Sequence, residues 1–61
     1  EIVAARLKTG LSQAQFAAAL NISSRTLQQW EQGRRRPSGA AETLLRIVAR
    51  HPGVLREVMA A

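Results

Sequence analysis

Apolar residues along this chain recur at helical spacing, and interruptions of that pattern divide the chain into five predicted helices. The interruptions lie at Thr9 and Gly10, at Asn21, over residues 33–39 and over residues 51–53. No segment alternates apolar and polar residues with a period of two, and β-branched and aromatic residues are few. The pattern therefore predicts an all-α fold, a compact five-helix domain in which each helix buries one apolar face.

The first predicted helix runs from about Ile2 to Lys8, with Val3 and Leu7 as an apolar pair at i and i+4. Gly10 is expected to end it in a left-handed conformation, which a residue without a Cβ adopts at little cost.

Two further helices are predicted after the central part of the chain. The fourth helix runs from about Ala40 to Arg50, and its apolar face comprises Ala41, Leu44, Leu45 and Val48. The fixed φ of Pro52 suits the first position of the fifth helix, and His51 is expected to cap that helix beside it. The apolar face of the fifth helix comprises Val54, Leu55, Val58 and Met59.

The second helix has a strong start signal. Ser12 is the expected N-cap, and Gln15 three residues later completes a capping box. Leu11 and Phe16 have the spacing of a hydrophobic staple, in which the residue before the cap packs against the fourth helical residue. Phe16 and Leu20 then form the inward-facing stripe.

The third helix repeats this arrangement after a tight turn. Asn21 tolerates the left-handed conformation that ends the second helix. Ser23 is the expected N-cap of the third helix, and Ile22 and Leu27 form a second staple. Gly33 is expected to end the helix, so residues 12–33 predict two short helices joined by a turn.

The third helix separates its residues by chemistry. At about 100° per residue, Leu27 and Trp30 share the inner side with Ser23. The outer side is polar and free of carboxylates, and it comprises Arg25, Gln28, Gln29 and Gln32. A solvated glutamine-rich face is the plainer interpretation. A helix in the major groove, however, has to avoid acids and to offer donors and acceptors to base edges. We therefore expect the base-reading residues to be Ser24, Arg25, Gln28 and Gln29.

Residues around the third helix are suited to hold the DNA backbone. The N-terminus of the second helix offers free N–H groups to a phosphate, and three arginines follow the third helix directly. Such an arginine run is usually a solvated patch, but its place after this helix favours phosphate contacts. The expected backbone contacts are Ser12, Gln13, Ser23, Gln32, Arg34, Arg35, Arg36 and Ser38.

Composition agrees with a polyanionic partner. The chain has 61 residues, nine Lys and Arg against four Asp and Glu, a net charge of +5 and a pI near 11.8. All the cations but Lys8 are arginine, which binds phosphate and guanine through two parallel hydrogen bonds. With no cysteine and a single histidine, neither a disulfide framework nor a metal site is expected, and no cofactor is implied.

Other classes of protein find no support in the sequence. No paired carboxylates, nucleophile–base set or glycine-rich phosphate loop indicates an enzyme. No apolar run approaches the roughly 18 residues of a membrane span, and no signal-peptide pattern is present. We expect residues 1–61 to be one DNA-binding domain and, because the chain begins with Glu1, a fragment of a slightly longer protein.

Residues 11–33, with the segment Trp30-Glu31-Gln32-Gly33 and the arginine-rich loop to Pro37, resemble the lambda-repressor-like helix-turn-helix family, also called the Xre or Cro/C1 type. The likeness covers almost the whole chain: Gln13 opens the second helix, Ala17 lies at the helix crossing, and Leu27 and Trp30 anchor the third helix. Asn21 occupies the turn position that usually holds glycine, a mild departure because asparagine accepts the same backbone angles.

The resemblance implies a fold, a function and one ion pair. It implies a helix-turn-helix formed by the second and third helices and sequence-specific binding of double-stranded DNA. Arg6 of the first helix is expected to pair with Glu31, which would make Glu31 a structural residue rather than a catalytic one.

The loop Arg36-Pro37-Ser38-Gly39 and the tail over residues 44–52 are similar to antitoxin regulators of bacterial type II toxin–antitoxin operons, of the HigA and MqsA kind. This likeness implies a repressor of its own operon, a palindromic operator, a homodimer, a cognate toxin as partner and a place in the bacterial cytoplasm at the nucleoid. The apolar face of the fifth helix is either core or dimer interface. Because a chain this short has little core to receive four apolar side chains, some of these residues are expected at a dimer interface: Val54, Leu55, Val58 and Met59.

Two alternatives stay open at this point. The chain is then either the toxin-binding module of an antitoxin, with DNA binding secondary, or a stand-alone repressor of the phage type. The basic outer face of the third helix favours DNA binding over a purely toxin-binding role. A membrane-binding amphipathic segment is disfavoured because each helix is short and capped for globular packing.

Overall fold

The structure, a computed structural model, describes residues 2–60, and this part of the chain forms five α-helices and no strand. The helices are α1 (Ile2–Thr9), α2 (Gln13–Leu20), α3 (Ser24–Glu31), α4 (Gly39–Arg50) and α5 (Val54–Ala60). α1 packs against α4 and α3, and α2 packs against α3. The predicted all-α class and the division into five helices are confirmed.

The connection from α2 to α3 is built by local hydrogen bonds. Ser12 Oγ accepts the N–H of Gln15 at 3.1 Å, and Gln15 Oε1 accepts the N–H of Ser12 at 3.0 Å, so the capping box is complete. Asn21 ends α2 in the left-handed conformation, with φ 59° and ψ 43°. Ser23 caps α3 by accepting the N–H of Thr26 at 3.0 Å. Both predicted caps and the predicted turn residue are confirmed.

Buried side chains from four helices and from the α1–α2 connection form the main core. Its members are Leu11, Phe16, Ala17, Leu27, Leu45, Val48 and Leu55. Phe16, Leu27 and Val48 are fully enclosed, and Trp30 is partly buried against them, which confirms its placement on the inner side of α3. Because α2 and α3 both contribute fully buried residues, this core fixes the angle at which α3 is presented.

α1 buries a different face from the one that the apolar pattern indicated. Ala5 and Thr9 are buried, whereas Leu7 is 65% exposed and Val3 is partly exposed. The Val3 and Leu7 pair is therefore not the inner face of this helix. α1 packs against α4 and α3, so the face that it buries is set by these neighbours rather than by its own apolar pattern.

The connection from α4 to α5 also differs from the prediction. His51 is the C-cap of α4, and its carbonyl accepts the N–H of Val54, the first residue of α5, at 3.0 Å. Pro52 lies with Gly53 in a turn, and α5 begins at Val54. The expected first helical position for Pro52 is therefore wrong: Pro52 and Gly53 form the turn before α5, and the helix begins two residues later than predicted.

Candidate nucleic-acid interface

The outer face of α3 is polar and largely solvent-exposed. Ser24, Arg25 and Gln28 are exposed, and so is Gln32, which is the C-cap of the helix. On the opposite face Leu27 is fully buried. α3 is thus held by Leu27 and by the partly buried Trp30, and it presents a row of polar side chains to the outside.

Gln29 differs from the other predicted base-reading residues. Its side chain is only half-exposed, and its carbonyl accepts the N–H groups of Arg34 at 2.9 Å and Arg35 at 3.4 Å. Gly33 makes this tight return possible with φ 75°, a conformation that favours glycine. The backbone of Gln29 therefore fixes the start of the arginine segment relative to α3.

One acidic residue, Glu31, lies within residues 12–38, and its charge is compensated inside the protein. Arg6 Nε lies 2.7 Å from Glu31 Oε2, and Arg6 Nη2 lies 3.4 Å from Oε1. Gln13 Nε2 donates to the same Oε1 at 2.8 Å. This ion pair confirms the expectation from the family resemblance.

The surroundings of Glu31 keep it ionised. Burial by itself favours the neutral acid and raises the pKa, but the hydrogen bonds from Arg6 and Gln13 and the positive charge of Arg6 outweigh it. The pKa of Glu31 is accordingly lowered from its ordinary value of 4.5. The polar surface of α3 is therefore free of uncompensated negative charge, which is the condition for approach to phosphate groups.

The residues at the starts of α2 and α3 that are predicted to contact the DNA backbone already make different hydrogen bonds within the protein. Ser12 is exposed, and its Oγ already accepts the Gln15 N–H. Gln13 is half-buried because its amide reaches Glu31. Ser23 Oγ accepts from the Thr26 N–H and donates to Thr26 Oγ1 at 2.9 Å, so its hydroxyl hydrogen is used within the helix cap.

The arginine segment after α3 is open to solvent. Arg34, Arg35 and Arg36 are all exposed, and no carboxylate lies within ion-pair distance of them among residues 2–60. Ser38 is the N-cap of α4, and its hydroxyl makes no hydrogen bond to the first turn of that helix. These groups are available to an anionic partner.

The residues predicted as dimer contacts divide into two pairs. Leu55 is buried in the core of the single chain and Val54 is partly buried against that core, so these two residues match the core alternative. Val58 and Met59 are 66% and 49% exposed. Both lie in the same helix as Leu55 but remain exposed to solvent in the single chain.

Two contacts have no clear signal in the sequence. One is the hydrogen bond from Gln13 to Glu31, and the other joins Arg56 Nε to the carbonyl of Thr9 at 2.9 Å, which ties α5 to the end of α1. Partners separated by 18 and 47 positions follow no helical or turn periodicity. Both contacts become visible only when the crossing of the helices is known.

Within residues 2–60 no group of three or more His, Cys, Asp and Glu side chains is arranged to hold a metal ion. None of the helices there has the length and apolar character that a membrane crossing requires.

Comparison with known proteins identifies similar chains. A helix-turn-helix family model matches residues 2–50, which contain α1 to α4. Antitoxin HigA-2 of Vibrio cholerae serotype O1 is 50% identical over 58 residues, which cover 95% of this chain and 56% of that protein. The uncharacterized HTH-type transcriptional regulator YiaG of Escherichia coli K12 is 34% identical over 59 residues, covering 97% of this chain and 62% of that protein.

These relatives are longer than the chain. It spans 56% of the length of one and 62% of the other, so each contains a segment with no counterpart here. No solved structure matches the chain significantly.

Proposed function

Because the chain belongs to the helix-turn-helix family of DNA-binding transcriptional regulators, we propose that it is a sequence-specific repressor that places α3 in the major groove of double-stranded DNA. One observation carries this proposal. The exposed face of α3 is polar and acid-free, while Glu31, the acid at its end, is compensated by Arg6. Such a face suits a partner with a dense negative charge.

Base reading is assigned to the exposed side chains of α3. The Arg25 guanidinium can donate two hydrogen bonds to guanine, and the amide of Gln28 can pair with the edge of adenine. Ser24 lies one helical turn before Gln28 and reaches either type of base. Gln29 is half-buried, so we assign it a smaller share of base reading than Gln28.

Backbone contacts hold α3 in register without reading sequence. The exposed arginines after α3 attract phosphates, and the start of α2 offers backbone N–H groups. The full set proposed for this role is Ser12, Gln13, Ser23, Gln32, Arg34, Arg35, Arg36 and Ser38.

We propose a homodimer on a palindromic operator, with half-sites about 10 base pairs apart from centre to centre. The exposed apolar pair Val58 and Met59 supports an association of two copies through α5, since removing apolar surface from water is favourable. A two-fold dimer would present two copies of α3 to successive turns of one DNA face.

The similarity to antitoxin HigA-2 of Vibrio cholerae favours a more specific role, the antitoxin of a type II toxin–antitoxin operon that represses its own transcription. A toxin would then be a second partner, and the protein would act in the bacterial cytoplasm at the nucleoid. The similarity to YiaG keeps a stand-alone regulator as the second candidate. A small toxin gene beside the coding sequence would distinguish the two.

Selection of binding sites from random duplex DNA tests the proposal. The expected result is a palindromic site, and Arg25→Ala should cost about 1–3 kcal/mol of specific binding and relax the preference at one base position of each half-site. Arg50→Ala is the matched control, because Arg50 is an exposed arginine at the far end of α4.

Three outcomes would contradict parts of this assignment. Failure to enrich any sequence would contradict specific DNA reading. An unchanged site with Arg25→Ala would contradict the role of α3, and a single unrepeated half-site would contradict the dimer.

A further inference from the structure

Glu31 makes a contact beyond its ion pair with Arg6. Its side chain is 7% exposed, and while Oε2 faces Arg6 Nε at 2.7 Å, Oε1 accepts a hydrogen bond from Gln13 Nε2 at 2.8 Å. Gln13 is the first residue of α2, and Glu31 is the last residue of α3. The carboxylate at the end of one helix therefore holds the side chain at the start of the other.

This contact determines how the Gln13 amide is oriented. An ionised carboxylate only accepts hydrogen bonds, so the NH₂ end of the amide has to face Glu31. One of the two N–H groups is used in this way, and the second N–H remains for another acceptor. The backbone N–H groups of Gln13 and Ala14 beside it also have no acceptor among residues 2–60, as usual for the first turn of a helix.

We propose that Glu31 is a positioning residue for DNA binding, which orients the Gln13 amide so that its second N–H donates to a backbone phosphate at the start of α2. This inference rests on the proposed function. Without Glu31, the Gln13 side chain would rotate freely and would lose entropy on binding DNA. Glu31 can support a contact with a negatively charged phosphate because Arg6 neutralises the charge of its carboxylate.

A double-mutant cycle on DNA affinity tests this role. The affinity of the folded protein for a fluorescently labelled duplex of random sequence is measured for wild type, Gln13→Ala, Glu31→Gln and the double variant. Gln13→Ala should weaken binding by about tenfold or more, the loss expected for one hydrogen bond to a charged group. Glu31→Gln should weaken it by about two- to tenfold, the cost of ordering one free side chain. The double variant should bind no more weakly than Gln13→Ala alone, whereas additive losses would overturn the proposal.

Two further variants separate positioning from stability. Arg6→Lys weakens the ion pair but leaves Glu31 beside Gln13, so the affinity of its folded fraction should stay within about twofold of wild type. The combined change of Arg6→Met with Glu31→Leu replaces the pair by apolar groups, which proteins often tolerate, and provides a folded protein without the carboxylate. Wild-type affinity in that variant would overturn the proposal.

Side-chain NMR gives a direct signature of the contact. In the wild-type protein, one Gln13 amide proton should be shifted from the positions of the exposed Gln28 amide, and adding the duplex should shift the other proton. Two protons that coincide with those of Gln28 before DNA is added would overturn the proposal.

The DNA measurements also distinguish this inference from the function on which it rests. Absence of salt-dependent binding to any duplex by the wild-type protein would refute the proposed function and the inference together. Salt-dependent binding that Gln13→Ala leaves unchanged would refute the inference alone.

Discussion

Two arginine–glutamate pairs lie in different regions of this molecule and illustrate different uses of the same chemistry. Arg6 and Glu31 join α1 to α3 at 2.7 Å, with side chains that are 17% and 7% exposed. Arg46 and Glu42 lie one turn apart on α4, at 3.2 Å, with side chains that are 75% and 52% exposed. The pairs have similar contact distances but different burial and sequence separation.

The difference shows that burial determines how much an ion pair contributes to the stability of the fold. The exposed pair is surrounded by water, and such i,i+4 pairs contribute about 0.3–0.5 kcal/mol. Neither member of the buried pair can lose its partner without leaving a poorly solvated charge. The buried pair also connects α1 to α3 through two residues that are 25 positions apart. In this pair Arg6 neutralises Glu31, the acid at the end of the proposed recognition helix. It therefore links the stability of the fold to the electrostatics of α3.

The largest expected effect comes from breaking the buried pair. Arg6→Ala leaves Glu31 with Gln13 alone as a polar partner and should lower the free energy of unfolding by about 3 kcal/mol, measured by urea denaturation. In a domain of this size that corresponds to a fall in Tm of more than about 10 °C. A loss below about 1 kcal/mol would show that water solvates this pair as it does the exposed one.

Lowering the pH should remove the contribution of the buried pair to the free energy of unfolding. The pKa of Glu31 is lowered in the folded protein below its ordinary value of 4.5. Its stabilising contribution is therefore complete above that value and is lost as the pH falls through the lower folded-state pKa. Denaturation of the wild-type protein and of Glu31→Gln at several pH values below neutrality should show a flatter dependence for the variant. Parallel curves would show that Glu31 does not titrate in this way.

Local features of the fold could be predicted because their causes lie within a few residues. The capping box of Ser12 and Gln15, the left-handed Asn21 and the cap at Ser23 each depend on hydrogen bonds or angles within one turn. The same holds for the exposed, polar outer face of α3, which follows from helical periodicity once Leu27 is recognised as inner.

Other features depend on tertiary packing and could not be predicted in this way. α1 has only eight residues, and its contact with α4 rather than its own apolar pattern selected Ala5 over Leu7 for burial. The pairing of Arg6 with Glu31 was implied by family resemblance. The hydrogen bond from Gln13 to Glu31 requires the angle between α2 and α3, which no local pattern encodes.

A third kind of arginine extends the comparison to the DNA surface. Arg35 is exposed and has no carboxylate within ion-pair distance among residues 2–60, so its partner is expected to be a phosphate. Arg35→Ala should weaken binding to all duplexes alike and lower the slope of log affinity against log salt by about 1. Its free energy of unfolding should change by less than about 0.5 kcal/mol. An unchanged salt slope would contradict the phosphate contact.

The smallest effect is expected from the exposed pair on α4. Arg46→Ala should change the free energy of unfolding by no more than about 0.5 kcal/mol, because both charges are already solvated and are screened by salt. Its salt slope for DNA binding should equal that of wild type, since Arg46 is an exposed arginine paired with an acid on its own helix. The variant is therefore the matched control for Arg6→Ala in denaturation and for Arg35→Ala in DNA titration. A reduced salt slope in Arg46→Ala would show that α4 also contacts phosphate and that its pairing with Glu42 breaks on DNA.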